Sequence, residues 1–461
     1  MYSITKTFRY FYLYTLLGLM LTHNYAIGQQ KNFDLSSQSQ LQSAANVLIN
    51  QVEKPDQLLE FKFFQLMIQP IINKIPSIEK IKDQLAVLNE KKREAFSGYL
   101  PQVSTLIGAG QSQANQTQTQ IKPSSISAKQ LIYDFKSTPL SNTIAERQYE
   151  AGLQSNKDQY SETVLTLVKS ILEKKRSTKM YDFVEGYVVL RKDFASIIKE
   201  KEKLGANSSI DIIRAATKLA EAEDELPGAQ KAISNADQAL RELFGELVNI
   251  DSNFYQLPNL QYNHGNEDNI IMSMPKVKEA EINLAVSKNN YELDKAKMYG
   301  TVQAEVSNSD SSSSLSSLLS GTSNTRQKTY QIVYRADLFS GFAGISRVEQ
   351  SLVKVSQNQF AYEEVVRKSK KDLANSVASL KASQDSLRSR LAIAKGSMAT
   401  EIGTRELFLL NRGSLTDVFK AQEDYFQAVQ KLVNAQFDYQ MSYYTLMHQS
   451  GLLLDLFKIS I

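Results

Sequence analysis

The chain contains no cysteine, which removes disulfides, thiolate metal sites, a thiol nucleophile and acylation of an N-terminal cysteine. Histidine is nearly as scarce: of three, His23 falls in the leader described below, so His264 and His448 are left for imidazole chemistry. Glycine and proline number only 19 and 9 in 461 residues, about half their usual share in soluble domains. Turns are therefore few and helices long, and an architecture of many short strands is excluded. Charge is nearly balanced, 53 Lys+Arg against 49 Asp+Glu, and no basic block is interleaved with aromatics, so no nucleic-acid partner is expected. No stretch after the leader approaches the ~18 to 20 consecutive apolar residues of a membrane-spanning helix. With 42% hydrophobic residues the chain can nevertheless form a packed core.

Residues 1–28 carry Lys6 and Arg9, then an apolar run from Tyr10 to Leu21, then Ala26-Ile27-Gly28. That order reads as a secretory signal peptide, the run being too short for an anchor that needs ~20 residues. Without Lys6 and Arg9 the remainder holds 51 basic against 49 acidic residues and is close to neutral. The expected compartment is periplasm, outer membrane or exterior.

Self-comparison is the most informative reading. Ile75-Pro76-Ser77-Ile78 through Leu85-Ala86-Val87 to Val103 matches Met274-Pro275-Lys276-Val277 through Leu284-Ala285-Val286 to Val302 at an offset of 199. Asp211, Ala215, Ala222, Leu226, Ala229, Gln230, Leu240 and Gly245 match Asp417, Ala421, Ala428, Leu432, Ala435, Gln436, Leu446 and Gly451 at an offset of 206. The plan is an internal two-fold repeat, 75–245 and 274–453, with a linker at 246–273, an N-terminal extension at 29–74 and a tail at 454–461. In the first copy a helix leads to a strand over 101–113, a polar loop over 111–124, a strand over 126–135 and helices over 139–204 and 208–245. In the second the strands are expected over 301–308 and 329–339 around a Ser-rich loop over 307–328, and the helices over 344–410 and 414–450. Helices of ~65 residues would extend about 100 Å, so the molecule is elongated. Small residues recur every seventh position at Ala215, Ala222, Ala229 and Ala236, and again at Ala421, Ala428, Ala435 and Ser442, which predicts supercoiled hairpins whose axes approach closely.

Strands of ~9 to 11 residues suit a tilted bilayer crossing. Four of them cannot close a barrel, and lipid forbids an open edge, so if they span the membrane other copies must complete the sheet. Three copies give 12 strands, an even number within the outer-membrane range of roughly 8 to 26. Tyr99, Tyr133, Phe135, Tyr299, Phe339 and Phe342 fall where strand meets helix, as an interfacial girdle requires; plugs of the core at strand ends are the plainer alternative.

Residues from about 75 to Leu453 resemble the TolC family of outer-membrane channel-tunnel proteins. The most specific piece is Asn411-Arg412-Gly413-Ser414-Leu415-Thr416-Asp417-Val418-Phe419-Lys420-Ala421-Gln422, followed by the alanine heptads and Gly451. Gly98-Tyr99-Leu100-Pro101-Gln102-Val103 and Gln130-Leu131-Ile132-Tyr133-Asp134-Phe135 support it, the latter resembling the type I secretion branch more than the drug-efflux branch. The resemblance implies a mixed α+β membrane protein, mostly α: a homotrimer with a 12-stranded barrel in outer-membrane lipid, continued by a long periplasmic α-helical barrel. Implied too are a periplasmic adaptor (membrane fusion protein) and an inner-membrane transporter, the ABC type favoured over the proton-driven type. The role implied is a passive exit duct, for type I protein secretion or alternatively multidrug efflux. Two departures are the long segment 33–74 and Tyr299-Gly300-Thr301-Val302 where the first copy has Leu100-Pro101-Gln102-Val103.

From the residues alone, Ser208 with Asp211 and Ser414 with Asp417 read as capping boxes at helix starts. The resemblance instead places Asp211 and Asp417 around the constricted periplasmic entrance, and Gly205, Ser208, Arg412, Gly413 and Ser414 at tips that meet the adaptor. The family's second acidic position is Lys420 here, spaced to pair with Asp417 and to weaken a negative ring. His264 reads as a solvated loop residue and His448 as a packing residue; no metal, cofactor or catalytic group is expected. A periplasmic coiled-coil adaptor would have one hairpin between β-rich domains rather than two hairpins with two strand pairs. A hydrolase lacks support from any Gly-x-Ser-x-Gly or paired histidines.

Overall fold

The computed structural model describes residues 49, 61–72, 74–114, 117–205, 207–244, 257, 267–313 and 325–459. The expected leader, most of the N-terminal extension, His264 and most of the linker lie outside them. In chain order the elements are α1 (Phe61–Ile72), α2 (Pro76–Phe96), β1 (Gln102–Ile107), β2 (Gly110–Ala114), β3 (Thr117–Tyr133), α3 (Ser137–Lys203) and α4 (Ser209–Phe244). They continue as α5 (Glu267–Ser273), α6 (Pro275–Lys297), β4 (Thr301–Ser313), β5 (Thr325–Arg335), α7 (Ala343–Leu409), α8 (Leu415–Gln449) and α9 (Leu453–Leu456).

The sheet is antiparallel in the order β1–β3–β4–β5, with β2 also on β3. Ile107 pairs with Ser124 and Gly110 with Ile121, so the register runs unbroken through Gly108-Ala109 and β1 and β2 act as one strand. The polar loops expected over 111–124 and 307–328 are corrected in part: Gly110–Ala114 pairs with Thr117–Ile121, and Ser307–Ser311 with Thr325–Thr329. Backbone ladders do not require apolar side chains, so a run of Gln, Thr and Ser can continue a hairpin by backbone pairing alone. The returning strands also end earlier than expected, at Tyr133 and Arg335, leaving Phe135 and Phe339 beyond them.

Helices α3 and α7 are both 67 residues long and start and end 206 residues apart. Each starts after a left-handed residue, Lys136 (φ 73°) or Phe342 (φ 65°). The buried Asp134 carboxylate accepts from Thr138 N at 2.6 Å and satisfies one of the free N–H groups of α3. At the far end of α7, Asn411 takes φ 57°, with Asn411 N donating to Phe408 O at 3.0 Å and Arg412 N to Leu407 O at 2.8 Å. This is the Schellman arrangement. Gly205 (φ 73°) ends α3 equivalently, donating to Glu202 O at 2.8 Å.

α4 packs on the distal half of α3 and α2 on its proximal half; α8 and α6 do the same for α7. The alanine heptads lie in these seams: Ala215, Ala222, Ala229, Ala236, Ala421, Ala428 and Ala435 are all buried. α8 also packs on α3, joining the two hairpins. The largest apolar cluster is a hub at mid-length, where Phe64 and Ile68 of α1 and Phe457 after α9 pack on Val164, Val168, Tyr444 and Leu446. Gln69 donates to Phe457 O at 3.3 Å and Gln65 to Leu456 O, so α1 straps the C-terminal segment to the rods.

Candidate functional site

Two regions carry the residues of interest, the hairpin tips and the sheet. At the tips, Phe194, Ile198 and Ala215 share one apolar cluster with Phe408, Leu415, Val418 and Phe419, which brings both turns to the same end. Ser208 and Asp211 form the reciprocal box, Ser208 N to Asp211 Oδ2 at 3.1 Å and Asp211 N to Ser208 Oγ at 3.3 Å. The second turn differs from expectation: Ser414 Oγ accepts from Thr416 N at 3.2 Å, one residue earlier. Asp417 is thereby released from capping. It is exposed, as is Lys420, and no ion pair joins them among the described residues, which corrects the expected pairing. Both side chains face water, where holding two chains in one geometry gains little. Gly413 is required by close approach, since a Cβ there would stand 2.9 Å from Phe408 N. Arg412 is exposed beside it.

Sequence reading missed two features of this end. Lys201 donates to Phe408 O at 3.0 Å and to Asn411 Oδ1 at 2.8 Å, and lies over the Phe408 ring at 4.6 Å. It closes the carbonyl end of α7 from the neighbouring hairpin, a favourable place for a cation; burial lowers its pKa. Farther in, Arg191 is 2% exposed and donates to Gln422 Oε1 at 2.8 Å and to Tyr187 Oη. Gln422 interacts with Glu401, itself 3.2 Å from Arg405 Nε. Burial raises the Glu401 pKa, opposed by Arg405, Gln422 and Arg191. Nothing local in the sequence distinguishes these charges from the exposed ones around them.

The sheet has two chemically different faces. Cross-strand pairing puts Val103, Ala128, Val306 and Tyr330 in one row, flanked on the same face by the rows Gln130–Ala304–Ile332 and Thr105–Ile126–Asn308–Lys328, with Val302–Tyr334 one row farther. The positions that alternate with these are mostly polar, Ser104, Ser127, Lys129, Gln303, Glu305, Ser307 and Gln331, with Leu106, Leu131 and Val333 among them. The apolar side chains stand in the open, Ile107 82% and Ile332 74% exposed. Such a surface is not kept in water without a covering medium. At the sheet–helix junction the aromatics gather: Tyr133 and Phe135 ring centroids lie 4.9 Å apart, Phe135 and Tyr299 5.3 Å, Phe339 and Phe342 5.6 Å. Tyr99 meets Phe96 at a tilt of 59°, and Tyr334, which sequence reading did not single out, donates to Tyr299 O at 2.8 Å.

His448 is buried against Ser161 Oγ at 2.8 Å, its pKa pushed down to about 4 by burial and by Lys276 and Lys169. Ser161 and His448 line one small cavity with Asp158, whose carboxylate lies 3.5 Å from Lys276 Nζ. No group of three potential metal-ligating side chains occurs among the described residues.

No protein-family model and no curated protein matches the sequence. Solved structures do match the fold. The outer membrane protein VceC of Vibrio cholerae is 14% identical, with a TM-score of 0.71 over 83% of this chain and 95% of that one. The MtrE outer membrane channel of Neisseria gonorrhoeae, in its open state, is 14% identical, with a TM-score of 0.72 over 84% of this chain and 89% of that one. The CmeC outer membrane channel of Campylobacter jejuni is 12% identical, with a TM-score of 0.69 over 94% of this chain and 93% of that one. The neighbours are outer-membrane channels of the TolC type, and the chain has their fold.

Proposed function

We propose that the chain is the outer-membrane exit duct of a tripartite export system, a member of the TolC family that passively conducts cargo delivered by an inner-membrane transporter through a periplasmic adaptor. The observation that carries this is the two-faced sheet continued directly by paired 67-residue helices. A sheet apolar on one face and polar on the other suits lipid outside and water inside. Its outer strands leave edges that only further copies can pair. Support for three copies comes also from α7, which buries eight of its 67 residues against 22 for α3 and leaves Phe360 67% and Val353 57% exposed. A neighbouring copy would cover that face.

In this reading Asp211, Asp417 and Lys420 line the periplasmic entrance, and Gly205, Ser208, Arg412, Gly413 and Ser414 present the turns to the adaptor. Tyr99, Tyr133, Phe135, Tyr299, Phe339 and Phe342 mark the inner membrane–water boundary. α1 and the C-terminal segment form an equatorial band. The cargo we propose is protein, on the resemblance of Gln130–Phe135 to the type I secretion branch. Small-molecule efflux would use the same duct with a different transporter, and co-purification with an ABC-type or a proton-driven transporter separates the two.

The test begins with the mass of the detergent-solubilised particle from outer membranes, expected at three chains. Because the natural chain has no cysteine, single introduced thiols report orientation cleanly. Ser127→Cys should lose conductance in planar bilayers to a charged, water-soluble thiol reagent, and Ala128→Cys should not. A soluble periplasmic monomer, or equal reactivity at both positions, would remove the duct reading and restore the adaptor.

A further inference from the structure

We infer that Lys129, Glu305 and Arg335 form a charged collar inside the barrel that favours anionic solutes. The inference rests on the duct reading, because the inner face of the sheet is a lumen only if the barrel closes. One cross-strand row runs Gln102–Lys129–Glu305–Gln331 through all four strands on the polar face. Arg335, two positions along β5 on that same face, reaches across to put Nη2 at 2.8 Å from Glu305 Oε1, while Lys129 Nζ lies at 3.8 Å. Gln331 Nε2 donates to the other carboxylate oxygen at 3.0 Å. The remaining described positions of this face are uncharged.

The sign of the collar follows from which groups meet water. The Glu305 side chain is 11% exposed and wrapped by its three partners, whereas Lys129 is 46% and Arg335 55% exposed. Two cations stand against one anion, so each chain presents one uncompensated positive charge, and presents it outward from a covered carboxylate. Three copies give a ring of excess positive charge in a section whose other side chains are uncharged, serine, threonine and glutamine with Leu106, Leu131 and Val333 among them. Rings of charged side chains of this kind set the ion preference of pores. At ~0.1 M salt the field reaches about 10 Å into the lumen, and at ~1 M only about 3 Å. Cargo or counter-ions bearing carboxylate, sulfate or phosphate groups are the class the collar would favour, and guanidinium is well matched to them.

The experiment is the reversal potential of full-length trimers in planar bilayers under a potassium chloride gradient. Lys129→Gln with Arg335→Gln should lower the chloride-to-potassium permeability ratio by about two-fold or more at low salt, and the shift should fade at ~1 M. Glu305→Gln, which preserves size and amide contacts, should raise the ratio. Lys129→Arg should hold it at the wild-type value, separating charge from packing. Intact conductance with an unchanged ratio in both neutralised variants would overturn the collar alone. Absence of conductance in the wild-type trimer would overturn the duct reading, and the collar with it.

Discussion

The buried charges near the tips make the sharpest stability prediction. Glu401 is 3% exposed, and its Oε1 lies 3.2 Å from Arg405 Nε on the next turn of α7. At an effective dielectric of about 20 the attraction is ~5 kcal/mol, from 332/(εr). Desolvation consumes a large part of it, since burial outweighs Arg405 in raising the Glu401 pKa. Glu401→Leu removes the carboxylate 3.2 Å from the buried Arg405; Arg191 retains Tyr187, Gln422 and a weaker partner in Glu423 at 3.7 Å. Breaking one side of a buried pair costs ~3 to 5 kcal/mol; with the remaining partners of Arg191 intact, about 3 kcal/mol is expected. Replacing both, Glu401→Leu with Arg405→Leu, should lie within about 1 kcal/mol of wild type, because the pair's desolvation is relieved along with its attraction. The assay is native-state hydrogen exchange at the amides of 394–409 and 415–426, read as a double-mutant cycle. Additive destabilisation in the double variant, or no loss in Glu401→Leu, would refute the account.

His448 supplies the pH dependence. Its folded pKa of about 4 lies below the ordinary 6.5, so the unfolded chain binds the extra proton first. Stability should fall as pH drops from about 6.5 towards 4, by up to about 3 kcal/mol; His448→Gln should flatten that window in acid-unfolding curves. Two left-handed glycines should differ sharply: at Gly205 (φ 73°) an added Cβ meets nothing within 4 Å, so Gly205→Ala costs only backbone strain of about 1 to 2 kcal/mol. At Gly300 (φ 78°) the Cβ would stand 2.2 Å from Arg335 O, so Gly300→Ala should abolish heat-dissociable trimers on gels. Lys420→Asp, beside an Asp417 that caps nothing, should increase cation preference in single-channel reversal potentials; an unchanged preference would place residue 420 away from the pore.

How much of this was legible in the sequence follows from the range of the interactions. The two long rods and their turns could be read because the scarcity of Gly and Pro and the seven-residue alanine register are local signals; the helices observed, Ser137–Lys203 and Ala343–Leu409, lie within two residues of the expected bounds. The polar hairpin ends were misread as loops because Gln, Asn, Thr and Ser carry no alternation of hydropathy, and pairing rests on the backbone. At Asp417 the spacing suggested a box, but Ser414 bonds Thr416 instead, a choice between neighbouring N–H groups that depends on the exact turn geometry. Lys201 to Phe408 and Arg191 to Gln422 join residues 207 and 231 positions apart, so no spacing rule reveals them.

The change of offset between the two halves, from 199 to 206, also acquires a location. From Gln102 to Tyr133 the first strand pair spans 31 steps, and from Thr301 to Arg335 the second spans 34, so three of the seven extra residues lie within the β4–β5 hairpin. Tyr133 is followed by α3 after four steps and Arg335 by α7 after eight, so the other four lie at the junction. None falls in a rod. A residue inserted there would rotate every following side chain by about 100° and advance it by 1.5 Å, disrupting the seam with α8. At the junction the extra length instead makes an elbow, Ala336–Phe342, in which Leu338 is 96%, Phe339 76% and Phe342 67% exposed. An apolar elbow at the boundary between an apolar sheet face and polar rods would be costly in water and favourable in an interface. On the duct reading, the asymmetry between the halves therefore gives one junction per chain a deeper hold on the membrane than the other.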